Sequence, residues 1–183
     1  MQGTGANRFK RLILECIPIL LMLMCVVADQ VTKSHFAEVC AEKDITVIEN
    51  FFYLTYTVNT GAAWSFLAGV SWGQIFFKIL TGVALVLFVL FYIYAFKKNY
   101  TWLKYALAIV VGGTVGNFID RLMFNGVTDF LSFIFGNYRF PVFNLADTFL
   151  TIGVIMLIIH FLFLDENAVF KEKEDADEVS NNE

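Results

Sequence analysis

Four runs of this chain are nearly free of charge and long enough to cross a bilayer, and they limit its fold more than any other feature. They are Leu12–Ala28, Ile75–Phe96, Trp102–Phe124 and Phe143–Leu164, with Glu15 near the start of the first and Lys78 near the edge of the second. A helix needs about 20 apolar residues to span the hydrocarbon core, and in lipid it satisfies its own backbone polar groups. The composition agrees: of 183 residues 58% are hydrophobic, and the mean hydropathy is +0.66, too apolar for an ordinary soluble domain. The expectation is an α-helical integral membrane protein: one membrane-embedded domain over residues 1–165, then an acid-rich, disordered tail over residues 166–183.

Lysine and arginine set the orientation. Arg8, Lys10 and Arg11 precede the first run; Lys97, Lys98 and Lys104 flank the short link between the second and third; Lys171 and Lys173 follow the fourth. All fall on one side if both termini are cytoplasmic. Lys33, Lys43, Arg121 and Arg139 are spread over longer loops on the other side. The first run, its basic lead and Cys25 imitate a lipid-modified signal peptide, but Leu23 and Met24 stand where small residues are needed. It reads as a retained span.

This orientation gathers four carboxylates at the outer membrane–water interface. Asp29 follows the first span, Asp120 lies near the end of the third, Asp129 lies in the loop after it, and Asp147 lies in the first turns of the fourth. Ionisable groups at that depth are costly and mark functional sites by default. Asn117 and Asn144 each precede an aspartate by three residues, which places each on its aspartate's helical face.

The loops between add an extended layer. In Ile45–Val58, Phe52, Leu54, Tyr56 and Val58 alternate onto one face, a strand signal. Asn125-Gly126 signals a turn, and Val127–Phe135 reads as a second strand carrying Asp129. A small outer sheet or cradle on four helices follows. Trp64, Phe130, Phe133, Phe135, Tyr138 and Phe140 supply either an interfacial aromatic belt or a grip on a lipidated substrate.

Other chemistries lack parts. The histidines are His35 and His160, the latter deep in span four toward the cytoplasm, where a buried hydrogen-bonded histidine is expected. Cys16, Cys25 and Cys40 form no CxxC pair and read as small apolar side chains. There is no HExxH and no His/Cys cluster, so no metal or cofactor is expected. An aspartate pair remains: one carboxylate takes a proton from water while a protonated partner stabilises the oxyanion. The alternative is that these aspartates cap helices or pair with Lys33, Arg121 and Arg139. By the symmetry of the two N-x-x-D units, spacing favours Asp120 with Asp147.

Five blocks resemble the lipoprotein signal peptidase (signal peptidase II) family, in the family's order from Asp29 to about Gly153. They are Asp29-Gln30-Val31-Thr32-Lys33, Asn59-Thr60-Gly61-Ala62-Ala63-Trp64-Ser65-Phe66, Gly112 through Arg121, Val127-Thr128-Asp129-Phe130 and Phe143-Asn144-Leu145-Ala146-Asp147. Trp64 stands where the family more often has Phe, and Thr128 where a second Val is common. The resemblance implies four transmembrane helices with a small extracytoplasmic β-cradle, in a bacterial cytoplasmic (inner) membrane. It implies an aspartyl endopeptidase that cuts diacylglyceryl-modified prolipoprotein just before its lipidated cysteine. It moves the catalytic pair to Asp129 and Asp147. Asp29, Lys33, Asn59, Gly61, Asn117, Asp120, Arg121, Asn144 and Ala146 become substrate-binding or supporting residues. Membrane lipids are expected partners, nucleic acid is not, and a monomer is expected. A small transporter would need ionisable groups along a whole path, which the apolar middles of spans two and three lack. A non-enzymatic scaffold would tolerate Asp129→Asn and Asp147→Asn.

Overall fold

The computed structural model describes residues 3–61 and 72–164, with backbone alone for residues 3–14. The chain runs α1 (Gly3–Val39), β1 (Ile45–Ile48), β2 (Phe52–Asn59), α2 (Gly73–Lys98), α3 (Thr101–Phe124), β3 (Val127–Phe135), β4 (Tyr138–Arg139) and α4 (Leu145–Ile159), which ends in a π-helical turn, His160–Leu164. Four segments are long and apolar enough to cross a membrane: Glu15–Val39, Gly73–Lys98, Thr101–Phe124 and Leu145–Leu164. The expected fold class is therefore observed: four apolar helices and a small antiparallel sheet.

The third helix is the axis of the bundle. It packs against each of the other three, and Leu103, Ala106, Leu107, Ala108, Val110, Val111, Gly112, Gly113 and Gly116 along it are buried. Small residues bring backbones together where lipid supplies no hydrophobic drive between helices. A Cβ at Gly112 would stand 2.7 Å from Cys25 Cβ, and one at Gly113 would stand 2.5 Å from the Ala146 carbonyl oxygen. The other helices turn large apolar side chains outward, among them Leu20, Val86, Leu90 and Ile155, as a lipid-facing surface requires.

The sheet has the order β1-β2-β3-β4. Strands β2 and β3 pair antiparallel, with Asn59 opposite Val127 and Thr57 opposite Asp129. Asn125, left-handed at φ 53°, turns the chain from α3 into β3. A bridge from Leu131 to Phe143 then ties β3 to the entry of α4. The sheet therefore fixes Asp129 beside the start of α4.

Four expectations need correction. The first helix does not stop near Ala28 but continues to Val39. Asp29 and Lys33 are one turn apart and both buried, so the polar stretch faces protein instead of ending the helix. Asn144 is not on a helical face with Asp147; it is the N-cap of α4. The extended stretch Ile45–Val58 is two strands, broken at Asn50, which is left-handed at φ 59°. Phe130 and Phe133 belong to no aromatic belt. Phe130 stacks on Phe36 (4.8 Å), and Phe133 stacks on Phe52 (4.5 Å). Phe135, Tyr138 and Phe140 are exposed. Trp64, Ser65, Phe66 and the acidic tail lie outside the described residues, as do the side chains of Arg8, Lys10 and Arg11.

Candidate active site

The four outer aspartates do meet, but in two distinct environments. Asp29 and Asp120 form a rear pair, each with both oxygens in use. Asp29 Oδ1 accepts from the Ala146 backbone N–H (2.9 Å), and its Oδ2 pairs with Lys33 Nζ (2.8 Å). Asp120 Oδ2 accepts from the Thr128 backbone N–H (2.9 Å) and pairs with Lys33 Nζ (3.2 Å). Its Oδ1 accepts from Gln30 Nε2 (2.9 Å). All three charged groups are almost inaccessible, where an unpaired charge would be prohibitive.

Asp129 and Asp147 form the front pair, and Asn144 joins them. Asn144 Nδ2 donates to Asp129 Oδ1 at 2.6 Å. The Asn144 backbone N–H donates to Asp147 Oδ2 (3.2 Å), while its Oδ1 accepts from the Asp147 N–H (2.9 Å). These last two bonds are a capping box at the start of α4. Asn117 completes the frame. Its Nδ2 donates to Asp147 Oδ1 (2.8 Å), and its Oδ1 accepts from Lys33 Nζ (2.9 Å) and Asn144 Nδ2 (3.1 Å). Asn59 Nδ2 reaches Asp129 Oδ2 at 3.3 Å, and its Oδ1 accepts from the Gly61 N–H (2.9 Å).

The Asp129 carboxyl is pushed up from 3.8 to about 7. Burial is the main cause, and the charge of Asp147 adds to it. The amides of Asn59 and Asn144 and the charge of Lys33 oppose the rise without cancelling it. A carboxyl half-protonated near neutrality, facing a second carboxylate, is the electrostatic arrangement that lets a pair share one proton.

The residues expected at the site are all in or against this cluster. Ala146 is fully buried, and the site of a Gly116 Cβ lies 3.3 Å from its methyl. Arg121 donates to the Asn117 carbonyl (3.3 Å) and lies over the Phe77 ring (5.7 Å). Arg139 instead lies on exposed β4 and makes no ion pair among the described residues. The structural reading holds for three of the aspartates: Asp29 and Asp120 pair with Lys33, and Asp147 caps α4. Sequence reasoning gave no role to Gln30 or Phe77. Gln30 could have been found from its place inside the Asp29–Lys33 block; Phe77 carries no signal in an apolar run. Among the described residues no three His, Cys, Asp or Glu side chains converge as metal ligands. His160 is buried against the rings of Tyr100 and Phe161, in the terminal turn of α4.

Comparison with known proteins gives the family and the fold. The family model described as signal peptidase (SPase) II matches residues 21–163. The lipoprotein signal peptidase of Bacillus subtilis is 39% identical over 155 residues, covering 84% of this chain and 97% of that protein. That of Staphylococcus carnosus is 42% identical over 148 residues, covering 80% and 91%. That of Bacillus velezensis is 40% identical over 148 residues, covering 79% and 92%. Two solved structures, each described as a bacterial membrane enzyme, are 36% identical, with TM-scores of 0.68 and 0.65. They cover 82% and 81% of this chain, and 90% and 94% of their own.

Proposed function

The chain belongs to the signal peptidase II family, and from that premise we propose that it is an aspartic endopeptidase of diacylglyceryl-modified prolipoproteins, cutting just before the lipidated cysteine. Asp129 and Asp147 are its catalytic pair. The observation that carries this assignment is Asn144, which holds both carboxyl groups at once while Asp29 and Asp120 are used up by Lys33 and backbone N–H groups.

The reaction needs one shared proton. At rest it sits on Asp129, whose carboxyl titrates at about 7. Among the described residues its Oδ2 has only the long Asn59 contact, so this oxygen can carry the proton. Asp147 takes a proton from water as the water oxygen bonds to the scissile carbonyl carbon. The Asp129 O–H donates to the developing oxyanion. The carbon–nitrogen bond then breaks, and the proton held by Asp147 passes to the leaving nitrogen. The pair ends with the single proton it began with.

Depth suits such a substrate. The pair lies where β3 meets the start of α4, at one end of the bundle. A substrate with its acyl chains in the outer leaflet presents its scissile bond at that level. Both termini are cytoplasmic in this arrangement. In a background cleared of native cysteines, a cysteine at Lys98 should resist membrane-impermeant thiol reagents in intact cells, and one at Gly136 should react; the reverse pattern refutes the orientation.

The decisive experiment is cleavage of purified lipidated precursor by four proteins. Asp129→Asn and Asp147→Asn should each lose turnover by about 10³-fold or more while still binding precursor. Asp120→Asn should lose less than either, relative to wild type. Full activity in Asp129→Asn would overturn the pair.

A further inference from the structure

Gln30 lies in none of the roles above, yet it touches both rear carboxylates. Its Nε2 donates to Asp29 Oδ2 (3.2 Å), Asp120 Oδ1 (2.9 Å) and the Gly116 carbonyl (3.1 Å). Lys33 Nζ bridges the same two carboxylates on their Oδ2 atoms. What each carboxylate holds in turn is specific. Asp29 holds the N–H of Ala146, the residue before Asp147. Asp120 holds the N–H of Thr128, the residue before Asp129. The rear pair thus grips the backbone one residue ahead of each member of the front pair, through two bonds of equal length, 2.9 Å.

We propose that Gln30 is a positioning residue. With Lys33 it clamps Asp29 to Asp120, and that clamp fixes the distance between the carboxyl groups of Asp129 and Asp147. The inference rests on the catalytic assignment above and adds to it the device that sets the pair's spacing. Two like-charged carboxylates repel. Lys33 neutralises one charge of the two, and a single ammonium hinged on one side allows them to splay. The amide supplies a second strut between the same two groups and anchors it to the α3 backbone at Gly116. Remove it, and the repulsion is transmitted through Ala146 and Thr128 to the front pair, where a misplacement near 1 Å costs about 100-fold in rate.

The spacing has a readout that loss of folding does not imitate. Asp129 is faced by Asp147 from α4, by Lys33 from α1, by Arg121 from α3 and by the Asn59 amide from β2. Of these only Asp147 raises its proton affinity. Widening the pair weakens that contribution, so Asp129 releases its proton at lower pH.

The test compares wild type, Gln30→Met, Val31→Ala and Asp129→Asn, each purified in detergent and normalised to its folded fraction by size-exclusion chromatography. Val31 lies next in α1 and is exposed, so its variant should match wild type. Gln30→Met should keep KM for lipidated precursor within about twofold, lose kcat roughly 10- to 100-fold, and lose activity at a lower pH than wild type on the basic side. Wild-type kcat with an unmoved basic limb would overturn the clamp. If Gln30→Met does not accumulate folded, Gln30→Asn keeps the amide and only shortens its reach, with the same expected and overturning results. Asp129→Asn separates the two ideas: if it too is fully active, the catalytic assignment has failed, whereas if it is inactive beside a wild-type-like Gln30→Met, only the clamp has.

Discussion

Asp129 gains its proton because folding takes its charge out of water and sets Asp147 against it. Its carboxyl moves from 3.8 to about 7, so the folded state binds the proton more tightly than the unfolded one. Between those values the folded protein holds a proton that the unfolded chain has lost. This group's stabilising contribution is therefore whole below about pH 4 and is lost as pH rises toward 7. Activity follows the same proton. Because kcat/KM reports the free enzyme, it should fall above about pH 7, as the pair loses the hydrogen it shares. Thermal unfolding in detergent should show the matching slope: the melting temperature of wild type falls between pH 5 and 7, and that of Asp129→Asn falls less. A flat wild-type kcat/KM from pH 6 to 9, with Asp129→Asn inactive, would show that the proton is not held where this geometry puts it.

At the scale of elements, the glycines of α3 decide how closely α1 and α4 approach. Gly116 is the most exacting. A Cβ there would stand 2.5 Å from Asp29 Oδ2 and 3.0 Å from its Cγ. That carboxylate is fixed by Lys33 and the Ala146 N–H, so it cannot swing aside. Alanine is favoured over glycine inside a helix by about 1 kcal/mol, but forcing a methyl into a packed site costs about 1–3 kcal/mol, and here it also breaks bonds to a buried charge. The clash should win. Gly116→Ala should lower the melting temperature in detergent and reduce turnover. Gly82→Ala, whose methyl would meet only the Phe118 ring edge at 3.9 Å, should do neither. Equal stability of the two variants would remove the packing account. The same elements show what a sequence reveals. Apolar length fixes four helices, because lipid admits few alternatives. The continuation of α1 past Asp29 is hidden, because a charged residue after an apolar run looks like the membrane surface until its partner is known. Asp29 accepts from the Ala146 N–H and shares Lys33 with Asp120; both are far away in sequence, and no local pattern announces them. β2 is legible from its alternation and β3 from the Asn125-Gly126 turn before it, while β4 is two residues long and leaves no periodic trace.

The molecule as a whole has an ionic layer at each end of an apolar middle. Lys33 with Asp29 and Asp120 ties α1 to α3 at the end that carries Asp129 and Asp147. At the other end Lys104 of α3 reaches Glu15 of α1 at 2.6 Å and lies over the Phe96 ring of α2 (5.8 Å). Positive charge along the sequence puts Lys104 at the flank of the third span, and there it is buried at 4% exposure. It acts as a clamp between helices. The two clamps differ in what they touch: the first adjoins the backbone ahead of Asp129 and Asp147, and among the described residues the second joins α1, α2 and α3. Glu15→Leu leaves Lys104 as an uncompensated buried charge, a change that typically costs about 3–5 kcal/mol. Replacing both partners removes that charge, and well-packed apolar pairs are often neutral or better than a buried ion pair. Glu15→Leu should therefore lower the melting temperature in detergent, and Glu15→Leu with Lys104→Leu should restore most of it. Turnover per folded molecule should stay at the wild-type value in both, because neither residue contacts Asp129, Asp147 or the groups that orient them. A double variant as unstable as the single one would mean that the ion pair itself, and not relief of a stranded charge, holds this end of the bundle; lost turnover in folded protein would mean that the two ends are coupled through α3.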